Sequence, residues 1–465
     1  MLDINKIEDS KIEFNKKDNK VILLIDSGID IFVLLLVRLI KIILPPKLES
    51  KIDEYLSHKE VLHNVVGLTF FNALGGICVI ITQVKLANYL GASIFGIYSY
   101  CLAIGEVGAM FVRYGRNKTM IRDLIQYPQK KGTLITSTLY LSLINLLIFM
   151  IVTFAFYEKL EIDITIAYIL LIMSPCLISI DPGPVYESLR LMSWHSVYLL
   201  IQKFLFLFFI WILFLSKFTV GLTTIGVILT ATWILVLVIQ FWEIAKQLKI
   251  NFFKSIKLSD IWFLYKDNFV IFLSCVFGVA FGPLIQLILK QNAETQAVGV
   301  YAAGLQIYQI CLFFNNQISR VGNPVMAELG KNTCPIVKRK TVVKKYTAIM
   351  LVTALPFVIP MVLFPQQIVN CLYSSEYESL SIYLPILAIY LIAISIGVVF
   401  TQFLISIRKD RLYFYIYIGT AVATVLCSLI LIPQYKIMGA FLSLCIPNSI
   451  GCLLYFLFSI KYLKS

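Results

Sequence analysis

Twelve apolar stretches, each long enough to cross a lipid bilayer, dominate this chain. They run over residues 62–87, 95–114, 133–156, 163–180, 195–215, 220–242, 267–289, 298–319, 345–364, 380–405, 411–432 and 437–460. A hydrocarbon core of about 30 Å needs about 20 such residues per helix. In lipid the backbone must satisfy its own hydrogen bonds, so each stretch is predicted to be a helix. The linkers are short and leave little chain for an extramembrane domain. Of all residues 59% are hydrophobic and 14% charged, against about 45–50% and about 25% in ordinary soluble domains. A soluble globular fold is excluded, and so is disorder, which needs low hydrophobicity and high charge. Residues 1–20 are highly charged and lack an apolar core, so no cleavable signal peptide is expected.

Charge tests the count. Alternate linkers, together with the C-terminal residues, hold twenty-four Lys and Arg. The opposite set holds four: Lys159, Lys217, Lys290 and Lys436. Cytoplasmic loops carry such an excess. Both the C-terminus and residue 62 are therefore expected in the cytoplasm. The formal net charge of +14 is read as topology signal and anionic-lipid contact. Interleaved aromatics at base-stacking density are missing from these loops, so no nucleic-acid partner is expected.

The first sixty residues differ. Val21 to Leu44 is apolar and is stopped by Pro45-Pro46. At 100° per residue, Asp26, Asp30, Arg38 and Lys41 share one side of a helix, which favours an amphipathic segment in the membrane interface. The alternative is a thirteenth span. Five Lys and five acids among residues 1–20 leave that choice open on charge.

An internal repeat is visible. The second span opens Phe95-Gly96-Ile97-Tyr98 and the eighth opens Val298-Gly299-Val300-Tyr301. The sixth and twelfth carry Gly226 and Gly439 in corresponding places. A displacement near 200 residues with six spans per half implies a parallel pseudo-repeat about an axis along the membrane normal. The expected fold is all-α: twelve transmembrane helices in two six-helix lobes, 62–260 and 261–465, after a cytoplasmic or interfacial amphipathic segment over 1–61.

Several motifs occur in the order found in one family. Ala87-Asn88-Tyr89-Leu90-Gly91-Ala92-Ser93-Ile94-Phe95-Gly96-Ile97-Tyr98 resembles the opening of the second span of oligosaccharide flippases. These belong to the multidrug/oligosaccharidyl-lipid/polysaccharide exporter superfamily. Ala297 to Ala303, Asn323 to Leu329, Leu372 to Tyr377 and Ile432 to Ala440 resemble later landmarks of that family. Asn88 stands where arginine is usual, and Ser374 and Lys436 replace glycines. The resemblance covers residues 62–465. It implies two lobes forming a V around a central cavity in a bacterial inner membrane. It also implies that the chain flips undecaprenyl-diphosphate-linked oligosaccharide units from the cytoplasmic to the outer leaflet by alternating access. Such units feed surface polysaccharide, O-antigen or lipopolysaccharide. Lipid-linked oligosaccharide and membrane lipids are the partners implied, with glycosyltransferases and a polysaccharide polymerase as further candidates.

The chemistry of that task can be stated independently. An anionic diphosphate and a polar sugar must cross hydrocarbon, where each unsatisfied polar group costs several kcal/mol. A wet cavity with fixed positive charge answers this. Intramembrane charges are therefore the candidates: Lys85, Glu106, Arg113, Lys203 and Lys290. Glu106 either holds a cation in place or carries a coupling proton. Lys85, Arg113 and Lys290 lie close enough to span ends to snorkel instead. The eighth span adds Gln306, Gln309, Asn316 and Arg320 on one face, suited to sugar hydroxyls or to bonds between helices. Prolines such as Pro175, Pro283 and Pro447 mark kinks or hinges.

No phosphate-binding loop or metal-ligand pattern occurs, and the ten cysteines form no C-x-x-C pair. No cofactor is expected beyond a coupling ion, H⁺ or Na⁺. The three histidines, His58, His63 and His195, are read as structural. A drug or small-cation antiporter would need mainly acidic cavity residues. A glycan polymerase or ligase would need catalytic groups in a sizeable outer loop, whereas the longest, 365–379, has no Lys, Arg or His. A transporter, not an enzyme, is expected.

Overall fold

The computed structural model describes residues 59–464, apart from 161–164, 190, 216–220, 253–256 and 330–334. The amphipathic reading of residues 21–44 lies outside the described residues. Every regular element among the described residues is helical: α1 (Lys59–Arg113), α2 (Arg116–Gln126), α3 (Lys131–Ala155), α4 (Ile166–Ile178), α5 (Gly183–Ser188), α6 (Met192–Leu215) and α7 (Leu222–Leu248). Then come α8 (Leu258–Val276), α9 (Pro283–Asn292), α10 (Thr295–Glu328), α11 (Ile336–Leu363), α12 (Pro365–Leu372), α13 (Leu384–Ser406) and α14 (Asp410–Lys464), with three short 3₁₀ segments between them.

Nine helices among the described residues are long and apolar enough to cross a membrane. A tenth crossing is a broken one, Leu258–Phe269 followed by Ile271–Phe281, bent by 54°. Two of the nine, α1 and α14, have 55 residues each and are interrupted by a non-helical residue, Gly91 and Lys436 respectively. Both fold back on themselves. Gln83 donates to the Tyr98 hydroxyl at 3.1 Å, although 15 residues of straight helix would span about 22 Å. Tyr413 and Tyr455 likewise stack with ring centroids 5.7 Å apart. Each long helix is thus a hairpin of two spans, and the crossings among the described residues total twelve. Gly91 makes its turn at φ 70°, where a Cβ would sit 2.8 Å from the Glu376 carboxylate.

In the first half α1 packs on α3, α4 and α6, and α7 on α4 and α6. In the second, α14 packs on α9 and α13, and α13 on α10 and α11. The halves meet where α1 crosses α10, and one core of buried side chains, including Phe95, Tyr98, Val298 and Tyr301, runs through the junction. Here the repeated glycines face each other. A Cβ on Gly96 would lie 1.9 Å from the Thr295 carbonyl oxygen and 3.0 Å from the Gly299 nitrogen. A Cβ on Gly299 would lie 2.0 Å from the Ala92 carbonyl oxygen and 3.2 Å from the Gly96 nitrogen. Each helix offers the same five-residue segment to the other, as a two-fold pseudo-repeat requires. Small residues allow the backbones to touch, the usual device for helix pairs in lipid.

The seventh span departs from simple segregation. Its first part, α8, begins three residues before the expected lobe boundary and packs on α3 and α1 of the preceding half. Only after the bend do Phe277–Phe281 and α9 turn to α14.

Candidate functional site

The two ends of the bundle differ in charge. The basic end carries α2 and its neighbours. The neutral end carries the turns at Gly91 and Lys436 and residues 364–383.

A cavity of about 680 Å³ opens between the halves, walled mainly by α1, α4, α6 and α7, with Cys275, Gly278 and Tyr417 from the second half. Three charged residues line it: Glu106, Arg113 and Lys203. Glu106 and Arg113 are seven residues apart, two turns along one face, or roughly 10 Å. Gly105 sets that face. A Cβ there would lie 2.4 Å from the Ile172 carbonyl oxygen, so α1 presses on α4 at Gly105 and turns Glu106 toward the cavity. Among the described residues Glu106 makes no ion pair or hydrogen bond. Lys203 reaches in from α6 across Gly75, whose missing side chain leaves room for its stem. A Cβ at Gly75 would lie 3.0 Å from Lys203 Cδ. Thr82, Gln83, Tyr98, Ser174, Gln202 and Trp233 supply hydroxyl, amide and ring surfaces. Gln202 is anchored through its amide to the Thr232 hydroxyl at 3.2 Å.

At the neutral end hydrogen bonds join the halves. Asn88 Nδ2 donates to the Leu372 carbonyl at 2.8 Å, and Asn88 Oδ1 accepts from the Ser374 backbone N–H at 2.8 Å. The Ala92 backbone N–H donates to Glu376 Oε2 at 2.7 Å, and the Tyr377 hydroxyl to the Ala87 carbonyl at 3.1 Å. Burial, with the charge of Glu376 adding to it, pushes the Tyr377 phenol well above the usual range, so it is a donor throughout. Just beneath, Gln306 donates to Gln83 Oε1 at 3.3 Å and accepts from Tyr373 at 3.1 Å.

At the basic end the junction is charged and aromatic. Arg116, with a side chain 2% exposed, binds Asp123 at 2.7 Å and the hydroxyls of Thr119 and Thr138. Burial pulls the Arg116 pKa down, and the bond and charge of Asp123 oppose it. Thr119 donates to Asn268 Oδ1 at 2.5 Å, and Arg122 spans Asp123 and Asp267. The bond to Asp123 raises the Arg122 pKa. Tyr114 stacks on Phe272 with centroids 4.3 Å apart, and Tyr265 bonds to Asn145.

Of the nine residues expected in the cavity, the structure brings Glu106, Arg113 and Lys203 together there. Gln306 belongs to the bonds that bridge the halves just above it. Lys85 does not line the cavity. Its ammonium lies 5.7 Å over the Trp211 ring, on the outside of α1 and α6. The reason is angular: Gln83 faces inward, and Lys85 follows it by 200° of helix rotation. Lys290 ends α9, half-buried and apart from the lining. Gln309 and Asn316 are exposed and also outside the lining, whereas Asn315 beside them is buried against Ser395 at 2.5 Å. Arg320 lies on α10, and its side chain is outside what is described. Sequence reasoning passed over Gln83, Ser174 and Trp233. A polar pair inside an apolar run, Thr82-Gln83, was the available signal.

A multi-pass membrane bundle of two pseudo-repeated lobes around a charged cavity defines the class. The chain belongs to the polysaccharide biosynthesis protein family, whose profile matches residues 61–330, more than half its length. A curated relative is the capsular polysaccharide biosynthesis protein CapF of Staphylococcus aureus. It is 23% identical over 225 residues, 48% of this chain and 56% of that one. The chain thus matches about half the length of that relative. Among solved structures, the lipid II flippase MurJ in an inward closed conformation superposes with a TM-score of 0.67 at 15% identity, covering 85% of this chain and 87% of MurJ. An inward-facing multidrug resistance MATE family transporter superposes with a TM-score of 0.57 at 15% identity, covering 85% and 94%. At such identities the likeness is one of fold.

Proposed function

We propose that the chain flips lipid-diphosphate-linked oligosaccharide units across a bacterial inner membrane. The basic end faces the cytoplasm and the neutral end the outside. The observation that carries this reading is the composition of the cavity: two cations and one acid beside amides, hydroxyls and an indole. A diphosphate takes the cations, which make charge-assisted bonds to its oxygens. Sugar hydroxyls and ring faces take the amides and aromatics. Family membership and the MurJ-like fold support it. In the structure the neutral end is bonded shut, as a flippase awaiting cytoplasmic cargo requires. An antiporter of organic cations needs the opposite charge balance.

The test is the leaflet distribution of lipid-linked oligosaccharide in cells with and without the protein. Loss should trap labelled glycan-lipid on the cytoplasmic face, and Arg113→Gln or Lys203→Gln should reproduce the trap. Glycan-lipid that still reaches the outer face but stays unpolymerised there would sink the reading.

A further inference from the structure

Behind Arg113, on the side away from the large cavity, lies a second and much smaller one of about 30 Å³, lined by Arg113, Arg116, Asn117 and Asp181 among others. Arg113 is shared by both. Three buried polar atoms belong to residues lining this small space: Arg113 Nε, Arg116 Nη2 and Asp181 Oδ1. Among the described residues none of them has a hydrogen-bond partner. Opposite charges this close attract through a poorly screened medium. The space holds about one or two waters.

The other oxygen of Asp181 is occupied. Asp181 Oδ2 lies 2.6 Å from His195 Nε2 and accepts the Gly183 backbone N–H at 3.2 Å. Gly183 closes over the imidazole: a Cβ there would sit 2.9 Å from His195 Cε1. Tyr186 stacks on the ring with centroids 5.8 Å apart. Of the neighbouring charges, Glu243 on α7 accepts from the hydroxyls of Tyr186 and Tyr198 at 2.7 and 2.8 Å, and Arg116 on α2 is held through Nη1 by Asp123. Glu187 is exposed on α5. Asp181 is therefore a carboxylate bonded to His195 and facing Arg113 and Arg116 across the small space, and of these Arg113 also faces the cargo.

We infer that the Asp181–His195 pair is a proton-binding site linked to cargo through Arg113. The inference rests on the flippase reading. In the empty cavity the charge of Asp181 is shared between Arg113 and the imidazole. A diphosphate in the large cavity draws the Arg113 guanidinium away, and more of the carboxylate's charge is left to His195. Neutral His195 must carry its hydrogen on Nε2 to donate to an ionised carboxylate at 2.6 Å. The proton taken from solvent then binds Nδ1, and the imidazolium stays on Asp181. Imidazole is the side chain suited to this, changing charge between about pH 5 and 8. By reciprocity, protonation of the pair favours cargo on Arg113, and release of that proton favours its departure.

The experiment uses full-length protein in lipid nanodiscs with undecaprenyl diphosphate as the probe. Probe affinity is measured from pH 5.5 to 8.5, and proton uptake on probe addition is followed with a pH dye. Affinity should weaken as pH rises, by up to about tenfold per unit where one proton is linked. His195→Gln should flatten that dependence, while His58→Gln and His63→Gln leave it intact. The probe's own titration is common to every variant. Asp181→Asn serves as the second variant, and dye-detected uptake by the unaltered protein needs no variant at all. A slope unchanged in His195→Gln, or one that moves instead with Glu106→Gln, overturns the inference and leaves the flippase reading standing. If the probe binds at no pH, the flippase reading fails and the inference falls with it.

Discussion

The halves of this protein are joined at two ends by different chemistry. At the neutral end the links are mostly neutral hydrogen bonds to main-chain atoms, on exposed residues such as Asn88 and Ser374. At the basic end the Thr119–Asn268 bond, the Arg122–Asp267 ion pair and the stacked rings of Tyr114 and Phe272 tie α2 and α1 to the start of the seventh span, beside a guanidinium and carboxylate buried within α2. Exposed hydrogen bonds to main chain exchange readily with water and contribute about 0.5–1.5 kcal/mol each. A buried ion pair is costly to leave half-made, by about 3–5 kcal/mol. The neutral end is thus built to part and re-form, and the basic end to hold α8 against the first half. The bend after Phe269 lets the rest of the seventh span follow the second half.

Four substitutions test this contrast, beginning with the most disruptive. Gly96→Val places carbon where Thr295 offers a rigid backbone carbonyl at 1.9 Å, so the closed neutral end should be lost. Cys275, which lines the cavity, should then react with a membrane-impermeant maleimide supplied at the neutral end, in a Cys371→Ser background. Continued protection of Cys275 would refute the crossing as a closure point.

Asp123→Ala leaves Arg116 buried and unpaired. Thermal unfolding of the purified protein should show a loss of about 3–5 kcal/mol. The double change Arg116→Met with Asp123→Leu should recover most of it, because an apolar pair of similar size avoids the desolvation cost. Equal losses in the single and double variants would mean that packing, not charge, holds this end.

Asn88→Ala removes two bonds at the neutral end, worth about 1–3 kcal/mol together. Spin labels at Ser93 and Ser379 should report a larger separated population by distance measurement, while the melting temperature changes little. A distance distribution like that of the parent would show that Glu376 and Tyr377 suffice. The smallest effect belongs to Arg122→Gln. Its side chain is 50% exposed, and such pairs contribute about 0–1 kcal/mol, less in high salt. A stability loss above that range, insensitive to salt, would place Arg122 inside the buried network.

Much of this architecture could be read before the structure. The apolar runs and the charge asymmetry gave twelve crossings, because hydrocarbon thickness and insertion act on local sequence. The repeated Gly-x-Tyr, at 96–98 and 299–301, marked the line where the halves touch. Lys85 was harder, since which way a residue faces depends on how its helix is rotated in the bundle. Asn88 was legible as a departure from the family arginine but not as a clamp, because its partners lie 284 and 286 residues away. His195 looked like a lone interfacial histidine. Its partner Asp181 sits across the α5 turn, and only folding brings the two within 2.6 Å.

The glycine crossing also has a mechanical consequence. It acts as a fulcrum placed near one end of a long arm. From Gly96 to Arg113 the helix extends about 26 Å, whereas Tyr98 lies only about 3 Å from the pivot. A rotation of about 10° about the crossing would carry Arg113 through roughly 4–5 Å and leave Tyr98 almost still. One cavity therefore has a stationary wall of amides and phenol and a sweeping wall of charge. The same stroke would change the separation of Arg113 from Cys275, Gly278 and Tyr417 on the second half, while Asp181, on the same lobe as Arg113, would travel with it.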